Sequence, residues 1–556
     1  MIKRLKLYSL IFVTALSLSI PLATGQQRRP DRARRISASV LTARGVETIT
    51  AAQMRSYLSF VASDEMEGRD TPSRGLDLTA KFMAMNLERW GFKAGGDDGT
   101  FFQKIALRRD ALDAANSSAE INGRKFSLGE DFLPNAVQAT IDGPLMFAGN
   151  GWVIKSKNLN PYEGIDVKDK IIVVMGQPFP GFPRGVTRAD LAGRQGVDWS
   201  SPSNYAQQHG AKGVLAIPDP LTLPNWEQLR ARATQAGRLT VEKFTTQQST
   251  PAVSSVLMST KMATALMEGE QLDAGTIVNK YNAGEALPTF ALSSGKNVRI
   301  NVTIKLDRPI TQNVVAIWEG SDPVLKHEYV AVGAHYDHVG ICAPAAEDKI
   351  CNGADDDGSG TTAMLAMAEA LARARQRPKR SVLFVWHTGE EKGLWGSRYF
   401  AENPTVPLDK IVAQLNMDMI GRSKKDGDTN PRNQNLSGPN TVYVIGSKMM
   451  STELGELSER VNASYLNLQY DYKYDDPADP NRFFFRSDHI NYARKGIPII
   501  FFFDGVHEDY HRPGDEPQKI DYDKMQKITR TVYLTLWEIA NLRTRPKVDK
   551  QLPAGM

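Results

Sequence analysis

The sequence predicts an α/β fold: a mixed, mostly parallel sheet with helices on both faces, interrupted by a smaller β-rich unit. Three observations carry this. A length of 556 residues is several times that of one domain. From about residue 295 onward, apolar strand-like runs alternate with amphipathic helical stretches, the pattern of a parallel or mixed sheet covered on both sides. Between about 140 and 290 the chain instead has short apolar runs separated by Pro- and Gly-rich turns.

The elements follow in order. Residues 1–25 read as an export signal: Lys3, Arg4 and Lys6 precede an apolar run from Leu7 to Ala23, and Ala23-Thr24-Gly25 supplies small residues for cleavage. A membrane anchor is the alternative, but the run is interrupted by Pro21 and falls short of the ~20 residues a span needs. No cysteine lies near the cleavage site, which excludes a lipid anchor. Residues 26–46 begin with five arginines and one aspartate between Gln26 and Arg35, the composition of a solvated linker. Removing the eight basic residues and one acidic residue of 1–35 from totals of 68 and 63 leaves 60 against 62. The formal charge of +5 thus belongs to the amino terminus, and the body has no basic excess to suggest a nucleic-acid partner.

Globular texture starts near Thr48. Leu76, Ala80, Met83, Leu87 and Trp90 recur at helical spacing, with Gly91 as a stop. In the middle unit, Lys170-Ile-Ile-Val-Val-Met175 and Gly213-Val-Leu-Ala-Ile217 read as strands, with a helical stretch over 204–212. Beyond it, strands are expected at 299–306, 313–319, 329–335, 381–387, 411–419, 441–445 and 497–503. Helices are expected at 360–375, 451–461 and 522–542, the last presenting Met525, Ile528, Val532, Leu536 and Ile539 on one face.

In open α/β sheets, ligands bind at the carboxyl ends of strands. Those ends carry His335-Tyr-Asp337, His387-Thr-Gly-Glu390-Glu391 and Met417-Asp418, and the last strand leads to Tyr510-His511. Asp355-Asp356-Asp357 lies between the first two and leads into a helix. Singly, each has a plain explanation: a structural histidine, solvated glutamates, a helix N-cap. An EF-hand calcium loop fails on spacing, with Gly353 two residues before Asp355 and no glutamate at the required distance. Asp418 is hardest to explain without a partner, because a carboxylate ending a buried strand is costly. Together the five segments offer the nitrogen and oxygen ligand mix of zinc. Asp356, Glu391 and Asp418 carry about three negative charges, which two Zn²⁺ and one bridging hydroxide balance better than a single ion. Glu390, beside a ligand but of opposite strand parity, is then free to act as general base.

The ordered motifs at His335–Asp337, Gly353–Asp357, Gly389–Gly393, Asn416–Asp418 and Tyr510–His511 resemble those of the secreted bacterial di-zinc leucine aminopeptidases. These are zinc exopeptidases related to the transferrin receptor and glutamate carboxypeptidase. The resemblance extends to Asp64-Glu-Met-Glu-Gly-Arg69 and Ser487-Asp488-His489. It implies a phosphorylase/hydrolase-like zinc-exopeptidase fold with catalytic parts at 47–139 and 293–545 and a tail at 546–556. The insert at 140–292 resembles a protease-associated domain through Gly164–Lys170 and Gly210–Gly213. The resemblance also implies His335, Asp356 and Asp418 on one zinc and Asp356, Glu391 and His511 on the other, with Asp356 bridging. Asp337 is expected to hydrogen-bond His335, Glu390 to move the proton, and Tyr510 to stabilise the oxyanion. A packing role is the alternative for Tyr510.

His338 and His387 fit no ligand position and are assigned structural or rim roles. Ser487-Asp488-His489 is not a hydrolase triad, since consecutive side chains cannot converge. Phe483–Phe485 and Phe501–Phe503 are assigned to the core, with one or two lining a pocket. Cys342 and Cys351 bracket the loop between the first ligand and the bridging one, and their separation together with export suggests a local disulfide rather than thiolate metal binding.

The expected function is an exported zinc aminopeptidase, periplasmic or extracellular, acting on peptides or small proteins with no nucleic-acid or membrane partner. Glutaminyl cyclisation, carboxypeptidase action and a non-catalytic receptor-like role are the alternatives on the same fold.

Overall fold

An eleven-stranded mixed sheet forms the larger part of the molecule in a computed structural model, which describes residues 35–552 apart from 177–181, 232, 235–236, 246–252, 344–345 and 477. The expected export signal therefore lies outside the described residues. The strand order is Arg238–Val241, Phe102–Leu112, Ile310–Trp318, Ser381–His387, Tyr329–His335, Ile411–Met417, Ile499–Phe503, Thr441–Ile445 and Gln469–Asp471. Two further strands, Lys93–Ala94 and Ile304–Asp307, pair off this path. The central four, Ser381–His387 to Ile499–Phe503, are mutually parallel, while antiparallel pairs flank them. Parallelism is thus concentrated at the centre, and those strands are buried almost throughout, as crossover connections require.

Side-chain alternation divides these strands between two cores. Val330, Val332 and Ala334 face one, with residues of Ala51–Val61, Arg74–Arg89, Gly358–Arg373, Thr452–Ser464 and Tyr522–Asn541. Ala331, Leu383 and Val385 face the other, with Phe400 and Ile490 from the short helices Trp395–Glu402 and His489–Ala493. The Arg74–Arg89 helix buries Leu76, Ala80, Met83 and Leu87 and is followed by Gly91 at φ 81°. The five apolar positions expected on the last helix are all buried. Gly358–Arg373 is buried from Gly358 through Leu371, which its run of small and apolar residues permits.

A second β-rich unit contains a six-stranded sheet with parallel centre (Leu145–Ala148, Ile171–Met175, Gly213–Ile217, Ser255–Met258) and a four-stranded antiparallel sheet. Their shared core draws on residues from Leu112 to Val302. The strand expected at 299–306 is broken. Val298–Val302 pairs within the small antiparallel sheet, and Ile304–Asp307 pairs with Phe102–Leu112 of the large one. At the break, Thr303 donates its N–H to Ser117 Oγ at 3.0 Å and accepts from Asp113 N at 2.8 Å, so its backbone serves the crossing rather than either ladder. Cys342 and Cys351 are joined, with Cα atoms 5.7 Å apart, in the segment between His335 and Asp355. No helix among the described residues is long and apolar enough to cross a membrane.

Candidate metal centre

Each sequence-predicted ligand arrives on a different segment at the carboxyl edge of the parallel strands. His335 is the last residue of its strand and Asp418 follows Met417; Asp356 precedes the Gly358–Arg373 helix. Glu391 lies in the loop after His387, and His511 in the loop after Phe503. The fold brings all five together. His335 Nε2 is 3.2 Å from Asp356 Oδ1 and 3.6 Å from Asp418 Oδ1. His511 Nε2 is 3.1 Å from Asp356 Oδ2 and 3.0 Å from Glu391 Oε1. The two oxygens of Asp356 therefore face two separate sets of donors.

Neighbouring acids are occupied by the backbone, which fixes the geometry. Asp357 accepts three N–H groups, from Gly360 at 2.9 Å, His335 at 3.1 Å and Met419 at 3.2 Å, and caps the following helix. Although it lies close to His335 and Asp418, three of its roughly four acceptor sites are taken by backbone N–H groups, and Asp356 Oδ1, 3.2 Å from His335 Nε2, is the better third donor of that set. Asp515 accepts from the backbone of Asp355 and Asp356, and Asp355 accepts from Gly421 N at 2.7 Å. Arg69, fully buried, donates to the carbonyls of Val61, Tyr336, Asn352 and Gly353, tying the His335 and Asp356 loops together. Met419 and His511 both have φ near 54° (53° and 54°), a left-handed conformation rare for such side chains and sustained by this surrounding network.

Asp337 differs from expectation. The partner of His335 Nδ1 is the backbone carbonyl of Asp337 at 3.1 Å, and the nearer carboxylate oxygen is 3.8 Å away. That carboxylate instead accepts the backbone N–H of Glu390 at 3.1 Å and of Glu391 at 3.4 Å. The strand ends at His387, so this anchored loop, and not strand parity, separates the two glutamates.

The electrostatics describe a site built for cations. Burial opposes charge on Asp356, yet His338, His335 and His511 around it hold its carboxyl well below the usual range. Burial likewise opposes a charge on His335, but Asp418 and Glu390 push its imidazole well above its ordinary value. The acids demand positive charge here, and a metal would supply what imidazole protons otherwise must. Glu390 is pushed well above the ordinary carboxyl range, by burial and by the charges of Asp418, Asp488 and Glu391 outweighing His335. It lines a small cleft with His335, Asp356, Asp418 and Tyr510. The cavity's apolar wall is Phe483, Phe501, Phe503 and Val506, with Arg486 also lining it. Tyr510 stacks on His511 at 3.9 Å between ring centroids. Burial, with Asp356 and Glu391 nearby, keeps its hydroxyl protonated, so it remains a donor.

His387 is structural, with Nε2 3.0 Å from Tyr492 Oη and Nδ1 3.3 Å from the buried Asp488. His489 points away, Nε2 donating to Phe484 O at 2.8 Å. Asn416 reaches Ser487 Oγ at 2.9 Å. His338, assigned a structural or rim role by sequence, lies among the candidate donors: Nδ1 is 2.9 Å from Glu391 Oε1. Its place three residues after His335 in one loop was the available signal. Asp515, in no motif, offered none.

Residues 313–536 match the profile of peptidase family M28. The chain is similar to "Leucine aminopeptidase 2" of Arthroderma otae, 27% identical over 296 residues covering 48% of this chain and 53% of that protein. It is also similar to a "Probable zinc metalloprotease" of Pyrenophora teres f. teres, 26% identical over 377 residues covering 62% and 74%. The matched region thus spans about half the length of the leucine aminopeptidases. Among solved structures, an aminopeptidase from Aneurinibacillus sp. strain AM-1 has the same fold, with TM-score 0.50 and 15% identity over 92% of this chain and 99% of that one. The α/β class expected from sequence is borne out.

Proposed function

From the family M28 match over residues 313–536, we propose that this chain is an exported di-zinc aminopeptidase that hydrolyses N-terminal residues from peptides. The observation that carries the reading is Asp356, whose two oxygens face His335 with Asp418 on one side and His511 with Glu391 on the other. The donor set fits zinc: imidazole nitrogens and carboxylate oxygens, several buried without hydrogen-bond partners. His335, Asp356 and Asp418 would hold one ion, and Asp356, Glu391 and His511 the other. When bound, the ions would acidify a water and polarise the scissile carbonyl. The names of the similar leucine aminopeptidases support action at the amino end.

The chain's own groups do the rest. Glu390, raised in pKa by burial, takes the proton of the attacking water and returns it to the leaving amine. Asp337 positions Glu390 by holding its N–H. Tyr510, a protonated donor lining the same cavity, hydrogen-bonds the carbonyl oxygen as it gains charge. The aromatic wall receives an apolar side chain. The amino-terminal sequence supports export. Release of chromophore from aminoacyl substrates but not from their N-acetyl counterparts, lost with chelator and restored by zinc, tests the assignment. Cleavage of N-blocked substrates, or release from the carboxyl end, would reject it.

A further inference from the structure

Building on the two-site reading above, we propose that His338 is a fourth protein donor at the second metal position, closing its coordination with Asp356, Glu391 and His511 and leaving the two metals unequally held. Four atoms converge there: His338 Nδ1, Asp356 Oδ2, Glu391 Oε1 and His511 Nε2. All four atoms are buried, and they face one another at 2.9–3.7 Å without a well-directed hydrogen bond to any other described residue. His338 is fully buried, and its other ring nitrogen has no hydrogen-bond partner among the described residues, so the protein alone does not satisfy the imidazole.

The spacing matches a tetrahedral ion. Four donors at about 2.0–2.1 Å from a zinc lie about 3.3 Å from one another. Here His338 Nδ1 is 2.9 Å from Glu391 Oε1 and 3.7 Å from Asp356 Oδ2, and His511 Nε2 is 3.0 and 3.1 Å from the same two oxygens. The ring is seated for this purpose. Its backbone N–H donates to Arg69 O at 3.2 Å, and its Cγ would lie 2.5 Å from a Cβ at Gly353, whose φ is 58°. Only glycine leaves room for the imidazole there.

The first position is different. His335, Asp356 and Asp418 supply three donors, and Asp357 beside them is largely spent on three backbone N–H groups. Three protein ligands with an open position facing the cavity are the arrangement of a catalytic ion, and four are that of a structural one. His338 would thus complete the protein donors around the second position, while His335, Asp356 and Asp418 would leave the first more open to the cleft and its ion the more weakly held.

X-ray absorption at the zinc edge of the fully loaded protein tests this without a variant. Three histidines over two ions give about 1.5 imidazoles per zinc, against about 1 if His338 stands apart. Chelator competition on His338→Ala supplies the second readout: one ion is expected to weaken tenfold or more, the other to stay unchanged. About one imidazole per zinc, together with two ions of unaltered affinity in His338→Ala, would overturn the assignment while sparing the two-metal reading. A wild-type chain that binds no zinc would overturn both.

Discussion

The carboxylate of Asp337 accepts the backbone N–H of Glu390 at 3.1 Å, although 53 residues separate them in the chain. The contact fixes a loop in which two adjacent glutamates diverge. Glu391 points its Oε1 to His511, and Glu390 lines the cavity.

Asp337→Asn keeps the backbone carbonyl that orients His335 but replaces one acceptor oxygen with an amide donor facing an N–H. We expect kcat to fall about 10–100-fold with zinc content retained. Steady-state kinetics beside metal analysis check this; a loss of zinc without a kcat effect on the loaded enzyme would count against the positioning role.

Glu390→Gln should bind zinc as the wild type does and lose about 10²–10⁴-fold in kcat. A variant within threefold of wild type would remove Glu390 from the proton-transfer role.

Lys524, buried on the last helix, lies 3.0 Å from Asp504 Oδ1 and donates to Ser437 Oγ and Arg422 O, both at 2.8 Å. Burial and nearby Asp355 already push Asp504 up to about 7 despite this cation. Lys524→Met leaves the acid buried and unpaired, and denaturant unfolding should report a loss of about 3–5 kcal/mol. A change below 1 kcal/mol would mean that the strand end relaxes to admit water.

Burial lowers the pKa of His489 to about 4, against about 6.5 when unfolded. Between these values the unfolded chain binds more protons, so stability rises with pH. The contribution is present above pH 6.5 and is lost as pH falls toward about 4, amounting to about 3 kcal/mol. His489→Gln, whose amide can still donate to Phe484 O, should show a shallower acid limb in unfolding measured from pH 7 to 4. An unchanged slope would place the acid sensitivity elsewhere.

Much of the fold and of the metal donors was legible because the signals are local. The strands Tyr329–His335, Ser381–His387, Thr441–Ile445 and Gly213–Ile217 are short apolar runs bounded by turns, and their limits coincide with expectation. His335 ends the first of these and Glu390 and Glu391 follow the second, because parallel neighbours end at one edge. What escaped depends on tertiary partners. The β-type run through Thr303 gives no sign of passing from one sheet to another. The division of labour within Asp337, carbonyl to His335 and carboxylate to Glu390, is invisible in an H-x-D pattern. His338 fits no ligand position in the motif, and the seat that Gly353 opens for its ring exists only in the fold.

The most direct test of the account is aminopeptidase activity of the metal-stripped chain titrated with zinc. Activity should rise to a plateau at two equivalents per chain. A plateau at one equivalent, or activity indifferent to zinc, would contradict a site bridged by Asp356.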